Sequence, residues 1–257
     1  METSFRFFTR SRCDAAESCC CDAFRHWDIQ NGLYSRAGNG RFSREASKYA
    51  ERVISVDASE AAHVAFRNMR KHEIDSVGVV RASVLELPIA DAAVDYTFSI
   101  GVMQHTGNGP QMVSEMARIV PKGHNVSLNC YGTGTETYEK IDAAIRARTT
   151  KMSQEDKMRF ANRIAKTHRG ILKMGALGRM IDRQLHKYMC IRPTLVQMYD
   201  WYAPAIAHHY DPEQLSRVFS ENGLEVIAAN FPFHKAGYSD EKRKKRATAF
   251  NMLLRKT

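Results

Sequence analysis

From Ala37 onward, short apolar runs alternate with longer stretches of helical period, and this alternation restricts the chain to an α/β fold built on a mainly parallel sheet. The runs 52–56, 77–82, 95–100 and 125–131 are too short for independent helices and draw on β-branched and aromatic residues, so they read as strands. Between them, helices are expected over 41–49, 59–71 and 110–119, with Ser59 placed to cap the second. Residues 136–200 read as mostly helical and basic. Asp211-Pro212-Glu213 then opens another helix, with Asp211 as N-cap and Pro212 in the first turn, and Asn222-Gly223 closes it. The runs 224–230 and 249–254 are the last strands, and the charged run 241–246 is expected as a solvated turn between them. The expectation is a twisted sheet with helices on both faces. Its divisions are an irregular segment 1–36, a first sheet half 37–132, a basic helical insertion 133–210, and a closing helix and strands 211–257.

A chain of 257 residues, 44% hydrophobic and 26% charged, can bury one full core. No run approaches the roughly 18 apolar residues of a bilayer span, and the first residues lack the apolar stretch of a secretory signal. A cytoplasmic protein without a transmembrane segment is therefore expected. Four of the six cysteines, Cys13, Cys19, Cys20 and Cys21, crowd the N-terminal segment without paired ligand spacing, so reduced thiols are expected there and no metal site. The net charge of +10 has a definite location. Residues 140–192 hold fourteen Lys and Arg against four Asp and Glu, which accounts for all of the excess.

The turn Ala37-Gly38-Asn39-Gly40 precedes a helix. Two glycines there let a backbone approach a ligand closely and present N–H groups at the helix start. Asp57 ends the next strand, where a carboxylate can reach the hydroxyls of a ribose; it can equally cap the following helix.

With these pieces in order, the sequence resembles a class I, Rossmann-like S-adenosylmethionine (SAM)-dependent methyltransferase of the broad Methyltransf_11-like, ubiquinone-methyltransferase-like kind. The resemblance rests on AGNGRFSREA, VISVDAS, RASVLELPIADAAVDYTFSIGVMQHT and EMARIVPKGHNVSLNCYG, and extends more thinly to DWYAP, GLEVIAANF and FNMLLRK. It implies a doubly wound, mainly parallel seven-stranded sheet with an antiparallel last strand and a helical insertion. It implies SAM as cofactor, with Gly38, Asn39 and Gly40 beside its methionine part and ribose, Asp57 on the ribose hydroxyls and Ala58 beside the adenine. Ser83 and Val84 would face the adenine, and Ile100 and Gly101 would lie under the sulfonium. His105 would stand at the rim where the acceptor enters.

Several positions depart from the family's pattern, among them its Lys-Pro-Gly-Gly turn, which reads Pro121-Lys122-Gly123-His124 here. The acidic residue that usually precedes the glycine turn is replaced by Tyr34, and the first glycine by Arg36, whose charge would repel the ammonium of SAM. Ser83 stands where an Asp is common. Either the first motif is weakened, or residues 1–36 are not the native start. His105 is the candidate base for an acceptor that must lose a proton, and its other reading is a structural histidine that caps the next helix. The His208-His209-Tyr210 group is a further polar cluster on the acceptor side. The basic insertion suits a lid, an anionic lipid surface or nucleic-acid phosphates. The expected function is methyl transfer to a small-molecule or lipid- or glycan-type acceptor, favouring an anionic one. The alternatives are a methyltransferase-like protein with a binding or assembly role, and an RNA methyltransferase that uses the basic segment. Nucleic acid is the less favoured partner, because no recognisable binding motif accompanies the charge.

Overall fold

The computed structural model describes residues 29–35, 37–133, 136–189, 193–230 and 249–257. The cysteine cluster, Arg36 and the charged run 241–246 lie outside the described residues. By compactness the chain divides into two units. One comprises residues 1–130, 213–230 and 250–257, and the other residues 131–212 and 231–249.

The first unit is organised by a sheet of seven strands among the described residues, in the order β3-β2-β1-β4-β5-β7-β6. Its strands are β1 (Ile29–Ser35), β2 (Ala50–Asp57), β3 (Val77–Arg81), β4 (Tyr96–Ile100), β5 (Asn125–Tyr131), β6 (Leu224–Asn230) and β7 (Ala249–Lys256). The pairs β1–β2, β1–β4, β2–β3 and β4–β5 are parallel. The β6–β7 pair is antiparallel, with a bulge between Val226 and Ala228. The expected mainly parallel sheet with a terminal antiparallel hairpin is therefore present.

The irregular reading of 1–36 needs correction, because β1 lies within it and occupies the centre of the sheet, between β2 and β4. Its sequence, IQNGLYS, dilutes the apolar run with Gln, Asn and Gly, so no periodic signal marks it. Parallel partners on both sides satisfy its backbone groups where its own side chains announce nothing.

Helix α1 (Arg41–Ala46) ends three residues short of the expected boundary, because the chain must turn at once into β2, which starts at Ala50. Helix α2 (Ala61–Lys71) starts two residues later than expected, with Glu60 rather than Ser59 at the N-cap. Ser59 Oγ nevertheless accepts from Ala61 N at 3.2 Å, at the helix start, while it donates to Asp57. Helix α3 (Gly109–Arg118) is capped by Asn108, whose Oδ1 accepts from Gln111 N at 3.1 Å. On one face of the sheet, Tyr96 and Phe98 of β4 pack with Val53, Val77, Ala46 and Met69. The alternating residues Thr97 and Ser99 belong to the opposite face and are also fully buried, as a central parallel strand requires. Helices α3 and α8 (Pro212–Glu221) bury Met112, Met116, Leu215 and Phe219.

The second unit contains α4 (Glu136–Thr149), α5 (Gln154–Leu172), α6 (Gly175–Met189) and α7 (Leu195–Tyr202). Its core joins Ala161 of α5 to Met198 and Tyr202 of α7, with Ile145, Phe160 and Trp201 around them. A buried polar knot fixes α7 to α4. Asp142 accepts from Arg146 Nε at 2.7 Å and from Trp201 Nε1 at 3.0 Å, while Arg146 Nη2 donates to the Trp201 carbonyl at 2.9 Å. The two charges of the knot are thus paired with each other, while Arg146 Nη1 is buried without a hydrogen-bond partner among the described residues.

Candidate functional site

The sheet runs outward from β1 in one direction through β2 and β3, and from β4 in the other through β5. The strand order therefore reverses between β1 and β4. At such a switch point the connections leave to opposite sides and open a crevice at the carboxyl ends of the strands. The register aligns those ends, since Ser35 of β1 pairs with Val56 of β2 and with Ser99 of β4.

The loop after β1 is built to approach that crevice closely. Ala37 N donates to Val56 O at 3.0 Å, and Gly40 N donates to Ala37 O at 2.7 Å, which closes a tight turn. Gly38 and Gly40 have φ of +49° and +87°. A Cβ on Gly38 would meet nothing within 4 Å, so its outer face is open to a ligand. A Cβ on Gly40 would lie 2.7 Å from Met69 Cε and 3.4 Å from Ala65 Cα, so this glycine serves the packing of the loop on α2. Asn39 is exposed; its carbonyl accepts from Asn68 Nδ2 at 2.7 Å and its Oδ1 from Arg41 N at 3.1 Å.

Asp57 joins the loop to the second strand. Its Oδ2 accepts from Gly38 N at 2.9 Å, and its Oδ1 accepts from both the N and the Oγ of Ser59, at 2.9 and 2.7 Å. The side chain is buried, at 8% exposure, yet each carboxylate oxygen has two lone-pair positions. One position on Oδ2 thus remains for a further donor. Asp57 does not cap the following helix, whose N-cap is Glu60; it ties the glycine loop to the strand end and keeps one acceptor position. Ala58 next to it is exposed.

Ala82 N donates to Asp57 O at 3.2 Å, which brings the chain after β3 alongside Asp57. Ser83 Oγ accepts from Leu85 N at 3.1 Å, and Val84 is buried. After β4, Ile100 and Gly101 are half-buried, and Gly101 takes φ of +65°. The Gly101 N–H is shared between Asn129 O and Asn129 Oδ1, at 3.3 and 3.2 Å. His105 ends the 3-10 turn Met103–His105, half-buried, with its N–H on Val102 O at 2.8 Å. It does not cap α3, since Asn108 does that.

Several contributors carried no sequence signal. Asn68 and Asn129 hold the candidate residues in place through contacts that span up to 29 positions. Thr97 Oγ1, Ser99 Oγ and both polar atoms of the Gln104 amide are buried without a hydrogen-bond partner among the described residues. In the second unit, His209 Nδ1 pairs with Glu139 Oε2 at 2.7 Å, and its Nε2 lies 4.0 Å from Asp142 Oδ2. His208 and Tyr210 come together as rings 6.4 Å apart. Burial pushes the phenols of Tyr138 and Tyr202 up, so both stay protonated at neutral pH.

Residues 36–126 match the model of a methyltransferase domain family. A stretch of 93 residues is 33% identical to a protein of Mycolicibacterium smegmatis described as a probable S-adenosylmethionine-dependent methyltransferase; it covers 35% of this chain and 34% of that relative, about a third of its length. Among solved structures, the YcgJ protein of Bacillus subtilis aligns over 92% of this chain and 93% of its own, with a TM-score of 0.55 and 13% identity. A SAM-dependent methyltransferase of Aquifex aeolicus aligns over 93% and 88%, with a TM-score of 0.52 and 10% identity. A geranyl diphosphate methyltransferase in complex with SAM aligns over 92% and 82%, with a TM-score of 0.56 and 10% identity. The sheet of this chain thus has the class I SAM-dependent methyltransferase fold. By sequence, the likeness to a methyltransferase domain covers residues 36–126, about a third of the chain.

Proposed function

We propose that this chain is a SAM-dependent methyltransferase whose cofactor lies across the carboxyl ends of β1, β2 and β4. The observation that carries the reading is the bond from Gly38 N to Asp57 Oδ2. It holds an open, left-handed glycine turn beside a carboxylate that keeps an acceptor position, at the sheet's switch point. Gly38, Asn39 and Gly40 would flank the methionine part and ribose of SAM, Asp57 and Ala58 the ribose and adenine, and Ser83 and Val84 the adenine edge. Ile100 and Gly101 would lie under the sulfonium. Bound SAM would supply a methyl group already activated by its positive sulfur, so the chain's own task is alignment and exclusion of water. His105, at the end of the turn after β4, would accept a proton from an acceptor that must lose one. The acceptor is a small molecule or a lipid- or glycan-type compound. The basic excess of residues 140–192 favours one that bears an acid or phosphate group.

Calorimetric titration of SAM into the intact chain tests this. The expected result is saturable binding that weakens about ten- to a hundredfold in both Asp57→Asn and Asp57→Ala, because one charge-assisted hydrogen bond is lost in each. Absence of binding by the intact, folded chain would refute the cofactor site and favour a methyltransferase-like protein with a binding or assembly role.

A further inference from the structure

Helix α6 shows two faces with different fates. One faces α5. A Cβ on the buried Gly178 would fall 1.9 Å from the carbonyl oxygen of Ile171, so the two helices touch backbone to side at that point. One turn later Asp182 Oδ1 pairs with His168 Nε2 of α5 at 2.6 Å. Gly178 and Asp182 therefore mark the packed side. The residues one position earlier in each turn, Leu177 and Ile181, are rotated by roughly 100° from it. With Met180 they form an apolar stripe at spacings of three and four residues. This stripe lies beside the face that meets α5, with Met180 furthest round from it. Leu177 and Met180 are 50% and 56% exposed, and Met174 just before the helix is 52% exposed.

The flanks of the stripe are basic. Arg179 and Arg183 are exposed, as is Lys173 before the helix, and none of the three makes an ion pair among the described residues. The preceding helix adds the exposed Arg163, Lys166 and Arg169. An amphipathic helix with an aliphatic stripe exposed among the described residues and a cationic margin has the composition that lies in the plane of a bilayer surface. At 15 residues α6 is too short to cross one, and no helix among the described residues is long and apolar enough to do so.

We propose that α6 docks this chain on an anionic lipid surface. Leu177, Met180 and Ile181 enter the boundary between headgroups and acyl chains, and Lys173, Arg179 and Arg183 meet the phosphates. Charge decides the occupant. A second copy would bring the same cationic margin against this one, whereas an anionic bilayer complements it along the whole helix. Nucleic acid would satisfy the charges but leave the stripe unused, because single strands stack on aromatic rings and this stripe is aliphatic.

Flotation of the full-length protein with vesicles tests the proposal, comparing pure phosphatidylcholine with phosphatidylcholine mixed with phosphatidylglycerol. The protein is expected to float with the mixed vesicles and not with the neutral ones, and added salt should release it. The exposed double substitution L177S/M180S should weaken partitioning at least about tenfold. R179E/R183E should weaken it about tenfold or more, and L177I/M180L, which preserves the stripe, should bind as the native chain does. Thermal melting and gel filtration confirm that each variant is folded; should L177S/M180S fail to fold, the charge-reversal pair and the salt series decide. Equal flotation with neutral vesicles, no flotation, or flotation unaffected by L177S/M180S would each overturn the proposal. So would a dimer dissolved by L177S/M180S in the absence of lipid binding, which would assign the stripe to a second copy. RNA retention sensitive only to R179E/R183E, without lipid binding, would assign the flank to nucleic acid.

Discussion

Gly38 and Gly40 stand two residues apart in one turn and answer to different constraints. Both need the left-handed backbone region, but only Gly40 has neighbours in the space a side chain would fill. Gly40→Ala should therefore cost about 1–3 kcal/mol of stability in urea unfolding, through backbone strain and displacement of Met69. Gly38→Ala should cost about 1 kcal/mol by the same assay, while its added methyl occupies the open face and lowers SAM affinity in calorimetry. The Gln104 amide poses the opposite case, being fully buried with neither polar atom paired among the described residues. Gln104→Met, similar in shape and without those polar groups, should raise stability by about 1–2 kcal/mol in the same unfolding assay. Cys130 is fully buried, and burial pushes its thiol well above the ordinary range. Peptide mapping after alkylation should find it unmodified in the native protein and modified after unfolding. The pair Gly38–Asp57 was legible in the sequence because both members are residue types with a restricted use. Asn68 and Asn129 were not, because nothing in an asparagine reveals which distant backbone group it will meet.

Elements were legible where side-chain period and terminal chemistry agreed. Residues 125–131 form a strand with the expected bounds, and residues 212–221 form the helix announced by Asp-Pro-Glu and closed by Asn-Gly. β1 escaped notice because a central parallel strand owes its place to its neighbours. The connection from β3 to β4 also depends on a tertiary device, supplied by α3. Glu115 accepts from Leu87 N at 2.7 Å and pairs with Arg118, which reaches Asp91 and the carbonyls of Leu87 and Ile89. The Arg118 hydrogen bond holds the Glu115 carboxyl below its ordinary value near 4.5. A depressed folded-state value means that Glu115 stabilises the fold above its unfolded-state value, and that this contribution is lost as pH falls through the folded-state value. Urea unfolding between neutral and acidic pH should show Glu115→Gln less stable than the native chain at pH 7 by about 1–3 kcal/mol, with the gap closing in acid. Helix α5 depends on a local cap, since Ser153 Oγ accepts from Asp156 N at 3.1 Å. Ser153→Ala should cost about 1 kcal/mol, read by the same unfolding assay.

For the molecule as a whole, a ligand that binds only the folded state must stabilise it. Saturating SAM, at about a hundred times its dissociation constant, should add roughly 2.7 kcal/mol and raise the melting temperature, and the shift should shrink in Asp57→Ala. The sequence by itself determined the α/β class, the methyltransferase resemblance, the two glycines with Asp57, and the confinement of the positive charge to residues 140–192. These features are local, since they depend on period, on conformationally special residues, and on charge, which needs no fold to be counted. Only the tertiary structure decided that 29–35 is the central strand, that Asp57 clasps Gly38, and that Leu177 and Met180 of α6 are left exposed beside the face that meets α5. Each of these outcomes depends on which surfaces meet across long sequence separations. A helical period shows that a face is apolar, but which of a helix's faces is packed and which is exposed is settled when the chain has closed around it.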